Sequence, residues 1–105
     1  MNKERLCIKI YPYNLEKDIL IDNLLIYSKY VNWVKGDFDL YFMTESFSLK
    51  IYFPNGWFEM VSLNLENNQI LLKIVINGNT SISCKKILER LISIYIHLIK
   101  IEEGL

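Results

Sequence analysis

Residues 5–11 alternate, with Leu6, Ile8 and Ile10 on one side and Cys7, Lys9 and Tyr11 on the other. A period of two marks a half-buried strand, and Pro12 ends it. The next stretch changes period. Leu20, Leu24, Tyr27, Val31 and Val34 recur at steps of 4, 3, 4 and 3. With Asn14 as N-cap, Glu16 and Asp18 in the first turn and Gly36 as the stop, this predicts a helix over 15–35. Ile19, Ile26, Tyr30 and Trp33 form a second apolar ridge beside that stripe. The two together make an apolar arc wider than one sheet face covers.

From 37 to 77 the period returns to two. Phe38, Leu40 and Phe42 alternate with Asp37, Asp39 and Tyr41. Phe47, Leu49, Ile51 and Phe53 alternate with Ser48, Lys50 and Tyr52. Asn55-Gly56 is a hairpin signal and Asn67-Asn68 a second turn. Between them Val61, Leu63 and Leu65 alternate with Ser62 and Asn64, and a bulge near Trp57–Met60 would fit the phases together. Ile70, Leu72, Ile74 and Ile76 make the last strand. Cys84, Leu88, Leu91, Tyr95 and Leu98, capped by Ser81 or Ser83, then predict a helix over 82–102. The expected fold is α+β, one domain over 1–105. An antiparallel sheet of about five strands, in the order β-α-β-β-β-β-α, would carry two helices on one face. Leu24 and Leu91 stand at the centres of the two helix stripes and are expected in the core.

Twelve Lys and Arg balance twelve Asp and Glu, and the pI is about 6.6. That excludes a chain held to nucleic acid or anionic membrane by bulk charge. Ile occurs 16 times, Leu 15 times and Ala never, while Lys outnumbers Arg 10 to 2, the mark of AT-rich coding in a bacterium or phage. No secretory leader or membrane span is legible, so a cytoplasmic location is expected. The charge is unevenly placed. Residues 85–100 hold Lys85, Lys86, Arg90 and Lys100 against Glu89, whereas 37–45 hold Asp37, Asp39 and Glu45.

Candidate chemistry is sparse. His97 stands among cations on the polar face of its helix, and Cys84 lies thirteen residues away, roughly 20 Å along the axis. The two therefore cannot form a nucleophile pair. Cys7 is the other cysteine, and no zinc spacing, phosphate loop or nucleophile motif occurs. No metal, cofactor or catalysis is expected. Fourteen aromatics are more than a small core readily hides. Tyr30, Trp33, Asp37, Asp39 and Trp57 are the expected partner-binding residues, with Tyr30 and Trp33 partly exposed. The partner is expected to be a protein, such as a basic toxin or nuclease, or a second copy. In general profile the chain looks like the immunity proteins that neutralise cognate toxins. The alternative is an RNA-binding module that uses Lys9, Tyr11, Tyr41, Lys50, Tyr52 and Lys73 on the outer sheet face.

Overall fold

The structure is a computed structural model and describes residues 12–104. The elements are β1 (Tyr13–Ile21), α1 (Leu24–Asp37), β2 (Phe42–Glu45), β3 (Leu49–Phe53), β4 (Gly56–Asn64), β5 (Ile70–Gly78) and α2 (Ser81–Glu103). The class and the order β-α-β-β-β-β-α are those the pattern predicts. The strand expected at 5–11, with Cys7, Lys9 and Tyr11, lies outside the described residues.

One antiparallel sheet runs β1-β5-β4-β3-β2, so the first described strand lies beside the last. Here the helix expected over 15–35 is corrected. Residues 13–21 pair with β5 along their whole length, from Tyr13 opposite Gly78 to Ile21 opposite Ile70. That register turns Leu15, Ile19 and Ile21 to the buried side beside Ile76, Leu72 and Ile70. Burying an apolar row against a central strand outweighs the helical look of Asn14, Glu16 and Asp18. The helix starts only at Leu24, where the Asn23 side chain accepts from the Ile26 amide at 2.9 Å.

The strand register also shifts expectations further along. Phe38 and Leu40 lie in the turn between α1 and β2, and Phe47 in the β2–β3 connection. The β3–β4 hairpin turns on Pro54-Asn55, with Phe53 opposite Gly56 and Asn55 at φ 69°, so Gly56 already belongs to β4. β4 pairs with β5 residue for residue, without a bulge. Gly56, Phe58 and Met60 therefore face the core, while Val61 and Leu63 face outward. The loop to β5 closes through Leu65 and Gln69, with Asn68 at φ 68°.

Both helices cover the inner face. Gly78 passes so close beneath Cys84 that a Cβ there would stand 2.6 Å from Sγ. Phe38, at the end of α1, meets Phe58 edge-on at 5.1 Å. Lys35 of α1 reaches Glu45 on β2 at 2.7 Å. The helices run antiparallel, tied by Lys29–Glu102 at 2.7 Å and Asp37–Arg90 at 2.6 Å. Cys84, Leu91 and Leu98 are the buried residues of α2, and Tyr30, Val31 and Val34 those of α1. Leu91 is in the core as expected, but Leu24 stands in the first turn of α1 and is 63% exposed.

Candidate functional site

With both helices on one side, the other face of the sheet is bare of them. Register brings one row of side chains across it. Phe42 on β2 is opposite Tyr52 on β3, which is opposite Trp57 on β4. Asn77 on β5 and Asn14 on β1 continue the row, joined by an amide hydrogen bond from Asn14 Nδ2 to Asn77 Oδ1 at 3.1 Å. The Phe42 and Tyr52 rings stand 5.5 Å apart. Lys50, one step along β3 on the same face, lays Nζ 4.1 Å from the Trp57 ring centre and 5.3 Å from that of Tyr52. Phe42 is 68% and Tyr52 37% exposed, and Trp57 is half-buried. Neighbouring strands are about 4.8 Å apart, so the three aromatics make a short continuous platform with a cation resting on it.

The rest of this face is mixed. Glu59 accepts from the Ser48 hydroxyl at 2.5 Å, and Lys73 lies 3.7 Å from Glu16. Counting Asp18, the face carries Lys50 and Lys73 against Glu16, Asp18 and Glu59, an excess of one negative charge. At its far end Leu20, Leu71 and Leu63 are cross-strand neighbours, and Leu20 and Leu63 are more than half exposed.

The five residues expected to bind a partner do not form one surface. Tyr30 is fully buried, which corrects the expected partial exposure: its ring meets Tyr95 edge-on at 5.1 Å and its hydroxyl donates to the Leu91 carbonyl at 2.7 Å. Trp33 is half-buried, its ring 5.9 Å from that of His97. Trp33, Gly36, Asp37, Ser93, Ile94 and His97 line an open groove of about 430 Å³ between the helices. Asp37 closes α1 rather than lying in a strand, and its carboxylate is engaged by Arg90. Asp39 is exposed in the following turn. Trp57 is on the opposite side of the sheet from all of these. The acidic and basic segments meet at one pair, Arg90 with Asp37, while Glu45 is held by Lys35 of α1.

Of the residues proposed for an RNA surface, Lys50, Tyr52 and Lys73 do share the outer face, while Tyr41 is half-buried against Phe38 at 5.8 Å. Phe42, the residue the sequence pattern assigned to the core, belongs to the platform instead. Its place follows from the β2–β3 register, which sets Phe42 opposite the outward Tyr52. Cys84 is buried, and burial pushes its thiol pKa up, which suppresses the reactive thiolate. Among the described residues no hydrogen bond joins Ser93, His97 and Asp37, and no three His, Cys, Asp or Glu side chains cluster to hold a metal. Nor is any described helix long and apolar enough to cross a membrane. The chain matches no protein-family model, and no curated protein or solved structure is significantly similar to it.

Proposed function

We propose that this chain is a small non-catalytic protein-binding domain. It acts as an inhibitor or immunity-type protein that neutralises a partner, such as a toxin, in the bacterial cytoplasm. The observation that carries this reading is the Phe42–Tyr52–Trp57 platform on the sheet face away from the helices. Large aromatic side chains with a polar tip are the usual anchors of protein interfaces. The charge of the face, two lysines against three carboxylates, favours a protein over a polyanion, because nucleic-acid affinity rests on neutralising several phosphates. The exposed leucines at the far end of the same face extend the apolar contact available to a partner.

The platform itself favours a second reading, because aromatics on an open sheet with an adjacent lysine can stack single-stranded RNA bases. One experiment separates the two. The chain and its Tyr52→Ala/Trp57→Ala variant are immobilised and exposed to lysate of the source cell with and without nuclease. The expected result is a protein retained by the parent, lost from the variant and unaffected by nuclease. Equal retention by both, or loss on nuclease treatment, contradicts the protein-binding reading.

A further inference from the structure

The two cations of the outer sheet face are placed differently. Lys73 has a carboxylate beside it, that of Glu16 at 3.7 Å. Lys50 stands directly opposite Glu59 in the β3–β4 register, yet among the described residues it makes no ion pair. The Glu59 carboxylate accepts from the Ser48 hydroxyl instead. The Lys50 ammonium rests over two rings, 4.1 Å from the centre of Trp57 and 5.3 Å from that of Tyr52. Both distances are in cation–π range. The side chain is half-buried, so its charge is partly drawn out of water. An ammonium carries three donors, and ring faces do not satisfy them as a carboxylate would.

We propose that the partner segment docking on the platform is an acidic peptide, which sets a carboxylate on Lys50 and an aromatic or aliphatic side chain on the adjoining Tyr52 and Phe42 rings. The proposal rests on the protein-binding reading and names the chemistry of the partner. Charge complementarity fixes the sign. Phe42, Tyr52, Trp57, Asn77 and Asn14 are all neutral, and Lys50 is the charged side chain that rests on their row. A carboxylate brought to a partly desolvated ammonium makes a charge-assisted hydrogen bond, about twice as strong as a neutral one. A cationic segment would put like charges together over Trp57, whose ring Lys50 already covers. A polyanion would also meet Lys50, but its next charges would run over a face that holds Glu59, Glu16 and Asp18. A peptide places one carboxylate where the face accepts it and leaves the neighbouring contacts apolar.

A displayed library of random peptides tests this without a known partner. It is selected on the parent chain and depleted on Tyr52→Ala/Trp57→Ala, so that only platform-dependent peptides remain. These are expected to carry Asp or Glu within two positions of an aromatic residue or Leu. Lys50→Met keeps an apolar stem beside Trp57 and removes the charge. It is expected to keep the parent's melting curve, to bind a selected peptide about tenfold more weakly, and to lose the salt dependence of binding. Lys50→Arg is expected to restore most of the affinity. Selection on Lys50→Glu is expected to return Lys or Arg in place of the acid. Platform-dependent peptides without an acidic preference, or affinity unchanged in Lys50→Met, overturn the acidic assignment and leave the protein-binding reading standing. A selection that yields no platform-dependent peptide also overturns the assignment, and the lysate capture then decides the protein-binding reading separately. Single-stranded oligouridylate that binds the parent more tightly than any selected peptide, and is released by Lys50→Met, overturns both.

Discussion

Tyr30 shows how far one side chain's surroundings can depart from its position on a helical wheel. Its ring lies in the core and its hydroxyl is satisfied by a carbonyl of the other helix. Tyr30→Phe removes one buried hydrogen bond and keeps the ring, so it should cost about 1 kcal/mol in denaturant unfolding. Burial raises the pKa of Tyr30, and, to a lesser extent, that of Tyr95 and of the Cys84 thiol. A raised folded-state pKa leaves stability intact below the unfolded-state values of about 9 for the thiol and 10 for tyrosine. Above them the unfolded chain ionises while the folded chain holds its protons, so stability falls as pH rises. Melting temperature should decline from about pH 9 upward, and Tyr30→Phe should flatten the part of that decline above pH 10. Leu24 and Leu91 separate equally cleanly. Leu91→Ala should cost roughly 2–5 kcal/mol for the cavity it opens, whereas Leu24→Ala, at 63% exposure, should stay within about 0.5 kcal/mol of the parent.

At the scale of elements, β5 and α2 were legible to within a residue or two, although Thr80 rather than Ser81 or Ser83 caps the helix, its side chain accepting from the Ser83 amide at 3.1 Å. Ile70, Leu72, Ile74 and Ile76 keep one phase through a strand that is central in the sheet, and Cys84, Leu91 and Leu98 recur every seven residues on the helix above it. Both patterns are set by burial on a single face. β1 was not legible, because its middle is charged and Ile19 and Leu20 also continue the apolar ridges of the following helix through Leu24 and Ile26. Only pairing with β5 distinguishes strand from helix, and β5 is far along the chain, with Ile21 opposite Ile70 and Tyr13 opposite Gly78. The outward turn of Val61 and Leu63 was hidden for a similar reason: Phe58 and Met60 claim the core, and a continuous register leaves their neighbours no choice. The junction of β5 with α2 can be probed directly. Gly78→Ala would press a methyl to 2.6 Å from the Cys84 sulfur. It should destabilise the chain by about 1–3 kcal/mol, and Cys84→Ala in the same chain should recover much of that loss, measured as a double-mutant cycle.

For the molecule as a whole, the helices bury one face of the sheet and leave the aromatic platform on the other. The platform was half legible. Trp57, Lys50 and Tyr52 were singled out from the sequence, but the pattern could not show that Trp57 shares a face with Lys50 and Tyr52 while Trp33 lies across the sheet. The two tryptophans therefore report on opposite sides of the molecule. Trp57→Ala should weaken partner binding by about 2 kcal/mol or more, the usual size of an aromatic hot spot. The most direct measurement is acrylamide quenching of Trp57 fluorescence in a Trp33→Phe chain, with and without the captured partner protein. Trp57 should be accessible in the free chain and shielded in the complex. Unchanged quenching of Trp57, together with new shielding of Trp33 in a Trp57→Phe chain, would place the partner on the helices and contradict the account.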